Sequence, residues 1–118
     1  MPPAAPPRLR IRIVFDDARF FGPGKADLLA GIAHTGSIAA AGRGMGMSYK
    51  RAWDLVQAMN AMFASPLVAM ARGGAKGGGA TLTSEGERVL ALYHLVQDAA
   101  LDAGGAALQE LSAKLSDI

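Results

Sequence analysis

GSIAAAGRGMGMSYKRAWDLVQAMN, residues 36–60, passes from small and flexible residues straight into Ser48-Tyr49-Lys50-Arg51-Ala52-Trp53. Ser37 suits the N-cap of a short helix ending near Gly44, because a serine hydroxyl accepts from a first-turn N–H that has no partner inside the helix. That helix is almost all Ala, Gly and Ile, so another helix can cross it closely. Gly46, between Met45 and Met47, stands where a tight turn wants a positive φ. Ser48 then caps a further helix that runs to about Phe63. At roughly 100° per residue, Ala52, Leu55, Val56, Met59 and Phe63 gather on one face of it. Lys50, Asp54 and Gln57 fall opposite, with Tyr49, Trp53 and Asn60 on one shoulder and Arg51 on the other. Two helices that cross through small residues at a glycine turn, the second with basic side chains at its start, predict a helix-turn-helix.

Upstream, RLRIRIVF (residues 8–15) alternates, with Leu9, Ile11, Ile13 and Phe15 on one side and Arg8, Arg10 and Arg12 on the other. A period of two with β-branched residues predicts a half-buried strand, whose arginines could touch DNA but more often form a simply solvated face. Pro23 and Gly24 open a helix carrying Leu28, Leu29 and Ile32, and Gly36 ends it. Downstream, LVAMAR and ATLT flank a glycine-rich tip and predict a hairpin. Thr83 or Ser84 caps a last long helix, Ser84 with Glu87 fitting a capping box, and Gly104-Gly105 is expected to break or kink it. The order strand, helix, helix-turn-helix, hairpin, helix predicts a winged helix-turn-helix, mainly α with a small β-hairpin and a long C-terminal helix. The expected organisation is a disordered tail over 1–7, the winged domain over 8–100 and a helical extension over 101–118.

Composition agrees with a single globular domain: 118 residues, 51% apolar, 19% charged and no cysteine. The absence of cysteine removes disulfides, thiolate zinc sites and thiol catalysis. MPPAAPP lacks the apolar stretch of a signal peptide and no run is apolar enough to span a bilayer, so a soluble cytoplasmic protein is expected. The net charge of +2 divides unevenly. Residues 42–83 hold Arg43, Lys50, Arg51, Arg72 and Lys76 against Asp54 alone, whereas residues 84–118 hold Arg88 and Lys114 against six acids. A basic middle implies a surface that faces a polyanion.

The chemistry-bearing positions follow from that division. An α-helix enters the DNA major groove with its N-terminal residues at the base edges. Lys50 or Arg51 can then reach guanine acceptors, Gln57 an adenine, and Ser48 or Tyr49 a phosphate. Arg72 and Lys76 bracket a tip with five glycines in residues 73–79, suited to a wing that follows the phosphate backbone. The tip lacks the GxxxxGK spacing of a nucleotide loop and joins two strands. Trp53 reads as core rather than as a base-stacking platform. His34 and His94 have no partners at ligand spacing, so no metal, no cofactor and no enzymatic site is expected. Oxyanion binding by Arg10, Arg12 or the wing glycines is conceivable, but nothing in the pattern singles it out.

SIAAAGRGMGMSYKRAW (residues 37–53) and ARGGAKGGGATLTSEG (residues 71–86) resemble the DNA-binding domain of the ModE family of molybdate-responsive transcriptional regulators. A more distant likeness is to LysR-type winged helices, with their Gly-Ser-apolar-x-x-Ala-Ala opening. The matching features are GSI, then SYK-x-AWD-x-x-x-x-MN, a basic residue with a glycine/lysine wing, and an LT-x-x-G start to the last helix, over about residues 9–100. The resemblance implies a bacterial homodimer on a pseudo-palindromic operator in double-stranded DNA. Ser48, Tyr49, Lys50 and Arg51 take the recognition-helix roles, and Arg72 and Lys76 those of the wing. The final helix and the N-terminal strand region hold the dimer together, with Leu92, Leu95 and Val96 as expected contacts. Family members continue into β-barrel modules that bind molybdate; no counterpart is evident in this sequence, which leaves a molybdate response open. Arg51 stands where the family has a smaller residue. That departure and the modest net charge keep a second expectation alive, a protein-interaction module (antirepressor or dimerisation partner) on a winged-helix scaffold without sequence-specific DNA binding.

Overall fold

The computed structural model describes residues 7–71 and 79–117. Among them the element order is β1 (Ile13–Val14), β2 (Phe20–Phe21), α1 (Pro23–Thr35), α2 (Ile38–Gly44), α3 (Tyr49–Met62), β3 (Val68–Ala71), β4 (Gly79–Leu82) and α4 (Ser84–Ala113). β1 pairs antiparallel with β2, and β3 with β4. This is a winged helix-turn-helix: three short helices, a β3–β4 hairpin and a long last helix. Arg72, Lys76 and most of the glycine tip lie outside the described residues, as does the expected tail but for Pro7.

Local chemistry at the helix-turn-helix follows the sequence. The Ser37 hydroxyl accepts from Ala40 N–H and that of Ser48 from Arg51 N–H. Gly36 ends α1 at φ 70° and Gly46 turns the chain at φ 72°, a region that costs an L-residue with a Cβ roughly 1–2 kcal/mol. The small residues of α2 allow close approach on both sides. A Cβ on Gly31 of α1 would sit 3.0 Å from the Cβ of Ala41, and one on Gly42 would sit 2.9 Å from that of Ala52. α2 is thereby held between α1 and α3. Leu28, Leu29 and Ile32 of α1 and Ala52, Val56 and Met59 of α3 are fully buried around it, with Ile38 and Ala41.

One joint connects α3, the β3–β4 hairpin and α4. Leu67, fully buried, donates its N–H to Asn60 Oδ1, and its carbonyl accepts from Thr83 N–H. Asn60 also accepts from Val68 N–H and donates to Val68 O. The Thr83 hydroxyl donates to Pro66 O while accepting from Gly86 N–H. Ala80 N–H closes the hairpin onto Gly36 O at the end of α1.

Three expectations change. The predicted strand 8–15 forms a ladder only at Ile13–Val14, against Phe20–Phe21, a partner the alternation did not reveal. Its length is set by its neighbours: Asp16 takes the N–H groups of Ala18 and Arg19 into a turn, and Pro23 already begins α1. Leu9, Ile11 and Ile13 are half-buried as expected, but Phe15 at the turn is 54% exposed. Thr83, rather than Ser84, caps α4, so the Ser84–Glu87 box does not form. Finally, α4 runs through Gly104-Gly105 without a break for 30 residues. Each glycine disfavours the helix by about 1 kcal/mol relative to alanine, and the flanking Ala and Leu residues outweigh it.

Candidate nucleic-acid interface

Ser48, Tyr49, Lys50, Arg51 and Gln57 are all exposed, at the start of α3 and along its outer side. The Ser48 oxygen is used as a cap acceptor, which leaves its O–H hydrogen able to donate outward. Tyr49 is 57% exposed, its ring 6.3 Å from that of Trp53, which is half-buried against the core as expected. Lys50 Nζ lies 2.9 Å from the carboxylate of Asp54, between side chains that remain 85% and 59% exposed. A surface pair of this kind contributes little to stability, and a cation placed before the acid is the weaker order at this spacing. Ser48, Lys50, Arg51, Asp54 and Leu55 line a shallow cleft of about 330 Å³.

The charges at the helix starts are unequal. A helix N-terminus carries about half a positive charge, so acids there stabilise and bases destabilise, each by about 0.3–1 kcal/mol. α4 obeys this with Glu85 and Glu87 in its first turn. α3 has no acid there and instead begins Tyr49-Lys50-Arg51. α1 likewise has no acid in its first turn and places Lys25 in it.

Two residues near this face were not legible as a pair. Lys25 is 9% exposed, its ammonium 3.1 Å from Phe20 O and 3.3 Å from the centre of the Phe20 ring. The Arg12 guanidinium lies 3.8 Å from the centre of the same ring. Burial, and secondarily the charge of Arg12, push the Lys25 pKa down. Arg12 had the signature of a solvated strand face, and a lysine folded under a distant aromatic leaves no periodic signal.

An apolar groove of about 270 Å³ runs between β1 and α4, lined by residues including Ile13, Phe15, Phe63, Leu92 and Val96. Leu92, Leu95 and Val96 are 44%, 57% and 44% exposed. The Tyr93 hydroxyl donates to Ile11 O and ties the N-terminal segment to α4 beside this groove. Among the described residues, no helix is long and apolar enough to cross a membrane, and no three His, Asp or Glu side chains gather as a metal ion would need.

The chain is similar to proteins named for molybdenum and for transcription. It is 53% identical over 76 residues to the molybdenum-pterin-binding protein MopB of Rhodobacter capsulatus, which covers 64% of this chain and 28% of MopB. It is 47% identical over 77 residues to the transcriptional regulator ModE of Yersinia pestis, covering 65% of this chain and 29% of that one. Against the DNA-binding transcriptional dual regulator ModE of Escherichia coli K12 the identity is 44% over 77 residues, with the same shares of 65% and 29%. The chain therefore spans under a third of the length of these relatives, and none of the three is named as an enzyme. No protein-family model matches the chain.

Proposed function

We propose that the chain is a ModE-type, sequence-specific DNA-binding transcriptional regulator that acts as a homodimer on a pseudo-palindromic operator. The observation that carries this reading is the inverted charge at the start of α3, where Lys50 and Arg51 oppose the helix's own dipole while α4 in the same domain carries acids. Cations in that position have a physical reason if a polyanion lies across the helix start. Lys50 and Arg51 reach guanine acceptors and Gln57 an adenine, while Ser48 and Tyr49 hold phosphates. Arg72 and Lys76 follow the backbone from the wing. Residues 8–100 are the DNA-binding domain, and 101–118 extend its last helix.

The apolar groove and the exposed Leu92, Leu95 and Val96 support a second copy seated along α4, which places one winged helix on each half-site. The names of the ModE relatives support transcription regulation linked to molybdenum.

Lys50→Ala is expected to weaken binding to a preferred duplex about tenfold and to relax the base preference at one position per half-site. Lys76→Ala is expected to weaken all sequences alike and to lower the slope of log K against log salt by about 0.9 per contact. Fluorescence anisotropy on the preferred and scrambled duplexes reads both. A Lys50→Ala protein that binds like wild type contradicts the assignment of α3. Unchanged affinity after neutralising Arg43, Lys50, Arg51 and Lys76 together favours the interaction module instead.

A further inference from the structure

Arg12, Lys25 and Arg51 come from the N-terminal segment, α1 and α3, yet they line one cleft of about 220 Å³ together with Phe20 and Leu55. Among the described residues, no carboxylate lines it. Among the described residues the ion pairs are Asp16–Arg19 and Lys50–Asp54, so none of these three cations belongs to one. Bringing like charges together on a partly apolar wall is unfavourable unless something of opposite charge arrives.

We infer that this cleft is an oxyanion site, and that its ligand is a phosphodiester of the DNA backbone beside the groove that α3 enters. This rests on the DNA-binding reading above. The geometry suits such a ligand. Lys25 is nine-tenths buried, and its one hydrogen-bond acceptor among the described residues is Phe20 O, whereas an ammonium carries three donors. The Phe20 ring holds the Arg12 guanidinium by its face, leaving the edges of the planar fork free for two oxygens. Gly22 lies under Arg12, where an added Cβ would meet the Arg12 side chain at 3.6 Å, and the space around Gly24 is open. A branched side chain at either position would narrow the cleft. Burial, and secondarily the charge of Arg12, lower the Lys25 pKa, and an anion in the cleft would offset both. Arg51 and Leu55 line both this cleft and the one on the reading side of α3. An anion bound here therefore sits on the flank of the recognition helix, where a backbone phosphate fixes register. A free tetrahedral anion offers the same oxygens, and the experiment separates the two sources.

The test uses the full chain with Arg12→Gln, at an exposed position, and Lys25→Met, which keeps an apolar side chain against Phe20 and removes the charge; circular dichroism checks that both fold. Binding to the preferred duplex is measured across salt, and again with single phosphates replaced by neutral methylphosphonates. Each variant is expected to lower the salt slope by about 0.9 and to weaken every sequence alike. At one phosphate per half-site, neutralisation is expected to weaken wild type several-fold and to leave Arg12→Gln unaffected. In parallel, inorganic phosphate and sulfate are added at millimolar concentration without DNA. A rise in the unfolding midpoint of wild type that is lost in Arg12→Gln identifies a free anion as ligand. Unchanged slopes, no phosphate position losing its effect and no thermal shift together overturn the site. If wild type has no preferred duplex at all, the DNA-binding reading fails, and the anion titration alone decides the cleft.

Discussion

Gly86→Ala is expected to destabilise the domain by about 3 kcal/mol or more and to lower the unfolding midpoint by roughly 10–20 °C. The new methyl would sit 2.1 Å from the carbonyl oxygen of Leu67 and 3.0 Å from its carbonyl carbon. Those atoms are backbone, not the tip of a side chain that can swing away. Relief requires α4 to move off Leu67, whose carbonyl is held by Thr83 N–H and whose N–H is held by Asn60. The resemblance to an LT-x-x-G start thus has a physical content: Thr83 caps the helix and grips Pro66, and the glycine three residues on lets the first turn lie against the chain. Thermal unfolding followed by circular dichroism reads the effect. Gly104→Ala is the comparison, because nothing lies within 4 Å of its added Cβ, and it should be neutral or slightly stabilising.

Asn60→Ala is expected to cost about 2–4 kcal/mol, because one truncation leaves Leu67 N–H, Val68 N–H and Val68 O without their partner. The carboxamide works here as a piece of strand: it offers an acceptor and a donor where the chain leaving α3 has no neighbour to pair with. Faster hydrogen exchange at the Leu67 and Val68 amides is the specific sign, and it should appear even in conditions where the variant stays folded. A variant with wild-type exchange at both amides contradicts this role. Since the same residue joins α3 to β3, its loss should also loosen the hairpin relative to α3.

The parts of the fold that were legible are those decided within a few residues. Ser37 and Ser48 cap their helices and Gly36 and Gly46 take positive φ because each choice is local. The wheel of α3 places Ala52, Val56 and Met59 inside because burial follows a single helical period. What was hidden depends on distant partners. The β1 ladder ends where an aspartate turn and a proline end it, and the segment before it is held by Tyr93, 82 residues away. Asn60 falls on a polar shoulder in the wheel, and only the return of the chain at Leu67 gives it work. The expected break at Gly104-Gly105 weighed an intrinsic propensity that its neighbours outweigh.

The candidate interface divides in the same way. Ser48, Tyr49, Lys50, Arg51 and Gln57 are exposed at the start and outer side of α3, as helical spacing predicts. The Lys50–Asp54 pair is readable from a spacing of four. The convergence of Arg12 and Lys25 beside Arg51 is not, because it depends on Phe20 folding back between residues far apart in the chain.

The central claim, sequence-specific recognition by a dimer through α3, is tested most directly by selecting bound sites from random duplex DNA and re-measuring the winners at two salt concentrations, with and without molybdate. The prediction is an enriched inverted repeat whose half-sites lie about 10 base pairs apart or a multiple of that, bound with a steep salt dependence. Absence of any enriched sequence, with only weak and salt-sensitive binding, would contradict it and leave the interaction module as the better account.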